Sequence, residues 1–127
     1  IWKFLNGIAG FKDPTRSAKS KTQRSRIDIK LQDWARDNCT MLLCGHTHNT
    51  RFPGLYEPPY FNDGCCVYPY AITTIEIEKG EIKLVKWIID AQDAGSLWVT
   101  RKNIAGPTKI AEYLNYAKEE RIRKRKS

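Results

Sequence analysis

Long apolar runs are absent from this chain of 127 residues, in which the longest apolar stretches are only a few residues. A helix that crosses a bilayer needs about 20 such residues, so the sequence predicts no membrane segment and no membrane partner. No basic start leads into an apolar run, as a secretory signal would require.

Methionine is also scarce, because Met41 is the only one and the chain begins at Ile1. We therefore expect the chain to be part of a longer protein.

The four cysteines lack the spacing of a zinc finger, since no Cys-x-x-Cys is present. Cys65 and Cys66 are adjacent, and alternation along a strand would send their side chains to opposite faces. Cys39 and Cys44 lie in apolar surroundings. Buried free thiols in a cytoplasmic protein are the simpler interpretation, and a structural zinc centre of cysteine and histidine is the minority alternative.

The net charge of +8 comes from two flanking segments. Residues 12–30 contain seven Lys or Arg and two acids, and residues 118–127 contain six and two, whereas 31–117 is slightly acidic. We expect 12–24 to form an exposed basic loop, because it has almost no bulky apolar side chain to bury, and 118–127 to be a fraying basic tail. Nucleic acid is a possible but not a favoured partner, because neither flank interleaves aromatic side chains with its charges.

Two segments have the periodicity of amphipathic helices. Residues 26–38 place apolar side chains at i, i+4, i+7 and i+8, and Ser25 with Asp28 resembles a capping box. For the last helix we expect Thr108 as the N-cap. The apolar stripes of the two helices are Ile27, Leu31, Trp34 and Ala35 in the first, and Ile110, Leu114 and Ala117 in the second.

Between these helices the sequence predicts short strands and turns, and so a mixed α/β (α+β) fold. Strict alternation on both sides of Lys79-Gly80 is typical of an antiparallel hairpin. The remaining expectations are a buried strand over 40–44, a loop over 49–59, a turn at 62–64, a short strand over 65–68 and a loop over 90–106 in which Val99 is the one candidate for a short strand.

Both histidines of the chain lie in one tetrapeptide, Gly45-His46-Thr47-His48, directly after the predicted buried strand. Open α/β sheets place their sites at such strand ends, and residues i and i+2 of an extended chain point to the same side. Neutral imidazole is a common ligand of zinc, iron and manganese. From spacing alone, a metal site and a pair of ordinary histidines are about equally plausible.

The segment 42–48 resembles the last signature block of the calcineurin-like metallophosphoesterases, a Gly-His-x-His that follows a buried strand. The resemblance continues through Tyr60-Phe61-Asn62-Asp63-Gly64, the hairpin over 72–87 and the Gly-Pro-led helix from Gly106, and it covers 26–114. It implies that 1–127 is the C-terminal part of one such domain, a partial four-layer αββα sandwich. It also implies a phosphate mono- or diester as substrate.

The same resemblance implies that His46 binds one divalent ion and His48 a second, with manganese, iron, zinc or magnesium as the metals. Those enzymes carry further motifs N-terminal to this block, namely Asp-x-His, Gly-Asp-x-x-Asp, Gly-Asn-His-Asp/Glu and another histidine, and none is present here. We therefore expect no complete catalytic set and no activity from the chain alone, with the missing N-terminal half of the domain as its partner. The alternative is a non-catalytic metal- or partner-binding domain that retains half of the scaffold.

Arg51 and Asn62 are the candidate substrate-binding residues. A guanidinium pairs well with phosphate oxygens, although a solvated loop arginine is the more frequent case. Asn62 precedes Gly64 in the predicted turn and is expected to shape the backbone near the site more than to contact substrate.

Overall fold

The computed structural model describes residues 21–67, 70–91 and 95–127. In these residues the chain is mixed α+β, with two helices and two small sheets. Residues 12–20 of the predicted basic loop lie outside the described residues. Tyr68 and Pro69, at the end of the predicted short strand, lie outside them as well.

Helix α1 spans Lys21–Asp37, so the helix predicted over 26–38 is confirmed and begins earlier. Residues 21–24 therefore belong to a helix and not to the predicted loop, and Ser25 lies inside the helix and cannot cap it. The helix ends as expected near Asn38, because Cys39 takes a φ of 47° and its N–H donates to the carbonyl of Arg36. This left-handed residue closes the last turn of the helix.

Strands β1, Leu42–Cys44, and β2, Tyr60–Asn62, form a parallel two-stranded sheet. The strand predicted over 40–44 is confirmed, but it is not buried, since the Leu43 side chain is 48% exposed. Burial belongs instead to β2, whose three residues are fully buried. Within the described ranges β1 pairs with β2 on one side only, whereas Asn62 of β2 also exchanges two backbone hydrogen bonds with Arg51.

The second sheet is antiparallel and contains β3, Ala71–Glu78, β4, Glu81–Ala91, and β5, Leu97–Lys109, in that order. The predicted hairpin is confirmed, with positive φ at both Lys79 and Gly80 as a type I′ turn requires. Cys65, Cys66 and Val67 are not in a strand, so that prediction is wrong.

Strand β5 replaces most of the loop predicted over 90–106, and Val99 is part of it. Almost every side chain of β5 is exposed, so apolar and polar residues do not alternate along its sequence. The strand is recognised by its hydrogen-bonded pairing with β4. Thr108 pairs with Ile82 in this ladder and is not an N-cap.

Helix α2 spans Ile110–Lys126, and its buried face differs from the prediction. Tyr113 and Ala117 are buried, whereas Leu114 is 44% exposed. The expected frayed tail is helical, and its cations contact the C-terminus of α1. There Arg121 donates to the Cys39 carbonyl at 3.2 Å and Lys124 donates to the Arg36 carbonyl at 3.0 Å. Cations at a helix C-terminus are favourable because the last carbonyls lack partners.

The apolar core joins both sheets and α2 through Phe61, Ile82 and Tyr113. The rings of Phe61 and Tyr113 meet edge to face at 5.0 Å between centroids, and Phe52 meets Phe61 at 5.3 Å in the same way. The Tyr113 hydroxyl donates to the carbonyl of Pro53 at 2.7 Å. This core fixes the position of β2, from which the candidate site is built. Neither helix in the described residues is long and apolar enough to cross a membrane.

We expect Tyr113→Phe to lower the free energy of unfolding by about 1 kcal/mol, because it leaves the buried Pro53 carbonyl without its donor. Urea unfolding measures the change. The matched control is Tyr56→Phe at a side chain that is 88% exposed, and equal effects of the two substitutions would contradict the prediction.

Candidate functional site

The tetrapeptide Gly45-His46-Thr47-His48 follows β1 directly, as predicted, but it is not extended. His46 has a φ of 80° and His48 a φ of 58°. The assumption that i and i+2 share one side of an extended chain is therefore wrong for this pair. Left-handed backbone costs a residue other than glycine about 1 kcal/mol or more, so surrounding contacts must hold this loop.

Thr47, between the two histidines, provides the contact that holds the loop. Its side chain is 2% exposed, whereas His46 is exposed and His48 is half-buried. The Thr47 hydroxyl donates to Asp28 Oδ1 of α1 at 2.8 Å and accepts from Asn62 Nδ2 at 2.8 Å. The loop is thus anchored at its centre, between the two histidines.

Asp28 accepts hydrogen bonds from three separate side chains. Its Oδ1 accepts from Thr47 and from the Tyr60 hydroxyl at 2.7 Å, and its Oδ2 accepts from Asn49 Nδ2 at 2.6 Å. Hydrogen bonds to an ionised carboxylate are short and strong. Asp28 is therefore a positioning residue of the site, and the capping-box interpretation of Asp28 is wrong.

Asn62 is fully buried and uses its side-chain amide within the site. Its Nδ2 donates to Thr47 Oγ1 and to the Tyr60 hydroxyl at 3.0 Å, and its Oδ1 accepts from the Gly64 N–H at 3.0 Å. These contacts favour the role of Asn62 in shaping the backbone over contact with substrate. Asn62 belongs to β2, so the predicted turn begins later, and Gly64 has the positive φ of 85°.

Burial and nearby carboxylates alter the acidity of two groups beside the loop. Burial, opposed by the hydrogen bond from Asn62 and reinforced by Asp28, raises the pKa of Tyr60 to about 12. Burial first, then the charges of Asp28 and Asp63, raise the pKa of the Cys44 thiol. Both groups therefore stay protonated at neutral pH, where Tyr60 acts as a donor to Asp28.

Gly45 allows a carboxylate to approach the histidine loop. A Cβ at Gly45 would stand 3.1 Å from Asp63 Oδ1, and the Asp63 N–H donates to the Cys44 carbonyl at 3.2 Å. A larger residue at position 45 would press against Asp63. Asp63 is thus a second carboxylate close to the tetrapeptide, besides Asp28.

The other candidate, Arg51, is placed at the rim of the site. Its backbone pairs with Asn62, and its guanidinium lies 3.4 Å from Glu57 Oε2. The Arg51 side chain is half-buried, and its contact with Glu57 lies at the surface. A contact with substrate phosphate stays a prediction for this residue.

His48 lines a pocket of about 350 Å³ together with residues of β3 and β4, and His46 is not among its lining residues. In residues 21–67, 70–91 and 95–127, no three side chains of His, Cys, Asp or Glu come together to hold a metal ion. The four thiols are free, with Cys39 and Cys65 buried and Cys66 exposed.

Sequence reasoning missed Asp28, Thr47 and Tyr60 as site residues. One signal was present, because Asp28 lies seven residues before Ala35 and so shares its helix face, and Ala35 is fully buried. A carboxylate on a buried face requires partners. Their identities depend on segments 19 to 32 residues away, which periodicity does not reveal.

Comparison of the chain with protein-family models, with curated proteins and with solved structures yields no match.

We expect Asp28→Ala to lower the free energy of unfolding by about 3 kcal/mol, because three donors lose their acceptor at a partly buried position. The control is Asp33→Ala on the same helix, whose carboxylate pairs with Arg36 at the surface and is expected to cost less than about 1 kcal/mol. Urea unfolding compares the two, and similar losses would remove Asp28 from its central role.

We expect the free energy of unfolding to decrease between pH 10 and pH 12 because the folded chain holds the Tyr60 proton more tightly than the unfolded chain does. The stabilisation is complete below the ordinary pKa of 10.0 and is lost as the pH approaches 12. In Tyr60→Phe this part of the pH dependence should disappear. Denaturant midpoints measured across this interval test the sign, and an unchanged slope in the variant would contradict it.

Proposed function

We propose that this chain contributes His46 and His48 as metal ligands to a dinuclear phosphoesterase of the calcineurin-like type, which hydrolyses phosphate mono- or diesters. The observation that carries the proposal is the buried Thr47 anchor, which holds both neighbouring histidines in strained backbone conformations. Such strain is found where surrounding structure imposes it, often at functional sites. A loop without a role for its imidazoles would have no reason to keep it.

The donor chemistry fits part of such a centre. Imidazoles on either side of one anchor suit two ions better than one, and manganese, iron, zinc and magnesium are the candidates. A pair of divalent ions held there would lower the pKa of a bound water and offset charge on the phosphoryl oxygens. The chain's own residues orient the ligands: Asp28 fixes Thr47, and Asn62 fixes Thr47 and Gly64.

The proposal requires carboxylate ligands from outside this chain, because two imidazoles do not balance the charge of two divalent ions. We propose that the N-terminal half of the same domain supplies them and completes a four-layer αββα sandwich. One edge of β1 has no partner strand among the described residues, and this supports the arrangement. The half-exposed apolar side chains of Leu43 on β1 and of Ile29 and Trp34 on α1 support it as well. An apolar strand edge of this kind is normally covered in a folded protein.

A second candidate function is a non-catalytic binding domain. It is favoured by an apolar cleft of about 280 Å³ on the three-stranded sheet, lined in part by Ile72, Trp87, Ile89 and Val99. The two candidate functions predict different sequences upstream of Ile1. The acidic motifs of the phosphoesterases, encoded upstream of Ile1, would support the enzyme, and a start codon just before Ile1 would support the binding domain.

We expect the chain alone to bind zinc only weakly, because the carboxylate ligands lie outside it, and we expect His46→Ala and His48→Ala each to weaken this binding by about tenfold. Isothermal titration measures the affinity. The control is Cys66→Ser, which removes an exposed thiol and should leave the affinity unchanged. Binding that depends on Cys66 and not on the histidines would refute the assignment of the metal ligands.

The isolated chain should not hydrolyse p-nitrophenyl phosphate in the presence of manganese, because the acidic ligands are not part of it. Release of nitrophenolate is the measurement. Turnover that His46→Ala abolishes would show that the chain is sufficient for activity, contrary to the proposal.

A further inference from the structure

The pocket beside His48 has a mainly apolar lining that also contains several polar side chains, and the metal site does not account for these. His48 forms one wall, and the other walls include Thr50 of the loop, Thr73 of β3 and Lys86 of β4. Its volume of about 350 Å³ exceeds the space that one phosphoryl group requires. Cys65, Tyr70 and Ala71 complete the lining. The hydrogen-bonding side chains of the pocket therefore include two threonine hydroxyls and one ammonium group next to a proposed metal ligand.

The two threonine hydroxyls converge on one point. A Cβ added at Gly64 would collide with Oγ1 of both Thr50 and Thr73, so both oxygens lie against the glycine backbone. Thr73 Oγ1 accepts from the Cys65 N–H at 3.0 Å, which leaves its proton free to be donated elsewhere. Gly64 thus leaves room for both hydroxyls beside its backbone.

Lys86 supplies the positive charge of this pocket. It lies opposite Thr73 on one neighbouring strand and opposite Lys102 on the other. Across the described parts of the chain Lys86 forms no ion pair, whereas Lys83 on the same strand lies 3.5 Å from Glu76 and 3.5 Å from Glu78. Two like charges on facing residues are unfavourable without an anion between or near them.

From this arrangement we propose that the pocket binds a second phosphate group of the substrate, through Lys86 and the hydroxyls of Thr50 and Thr73. The inference rests on the proposed function, in which the first phosphoryl group lies at the metal ligands. Because His48 borders both places, a substrate with two phosphoryl groups reaches both at once. The preferred substrate class is therefore a diphosphate, or a phosphoester whose leaving group carries its own phosphate, and not a simple monoester.

The experiment is a nuclear magnetic resonance titration of the full chain with inorganic phosphate and, in parallel, with pyrophosphate, both with a chelator present. The amides of Thr50 and Thr73 and the side chain of Lys86 should shift, and pyrophosphate should bind more tightly than phosphate. Lys86→Met should weaken phosphate binding by about tenfold, because it removes one charge-assisted hydrogen bond. Lys83→Met, which removes the same charge from the same strand, should change the affinity by less than about twofold.

Equal losses in Lys86→Met and Lys83→Met would overturn the inference, because they would indicate diffuse attraction to a basic chain. Shifts confined to the basic end of α2 would overturn it as well. Thermal unfolding of both variants shows whether they retain the fold. If the unsubstituted chain unfolds cooperatively but binds no phosphate, the proposed phosphate site is also refuted. The chelator makes this result independent of zinc binding, so failure of the phosphate site and failure of the metal site are distinguished.

Discussion

The carboxylate of Asp28 is the interaction on which the site depends. It is partly buried on α1 and is stabilised by donors from the loop after β1, from the following loop and from β2. A charge in such a place is tolerated only when its lone pairs are used. The three donors are therefore fixed relative to the helix, and Thr47 among them holds His46 and His48 in left-handed conformations. The backbone geometry of the histidine loop depends on this one partly buried charge.

Strand β2 links that charge to the apolar core. Alternation along its three residues sends Tyr60 and Asn62 to the polar side, where they hydrogen-bond with Asp28 and Thr47, and Phe61 to the opposite side. Phe61 packs there against residues of the other sheet and of α2. We therefore expect a substitution in the core to displace the histidine loop, because β2 supports it. The basic residues of α2 serve a different purpose, because two of them bind the carbonyl end of α1.

Much of the fold was predictable because its signals are local. The helix ending near Asn38, the strand before the histidines and the hairpin around Lys79-Gly80 were all predicted, since periodicity and turn chemistry act over a few residues. Strand Leu97–Lys109 was missed because it is exposed on both faces and has no alternation to recognise. Thr108 was wrongly predicted to be the N-cap of the last helix, because only its pairing with β4 shows that it belongs to a strand.

By itself the sequence determined that the chain carries two histidines in one tetrapeptide at the end of a strand, because this needs only the order of residues and a short apolar run. Only the tertiary structure decided that this tetrapeptide is bent and not extended, and that Asp28 anchors it. It also brought Lys86 to the side of His48. The physical reason is the range of the contacts, because a buried carboxylate and a cross-strand pocket are completed by residues that lie far apart in the chain and meet only when the chain has folded.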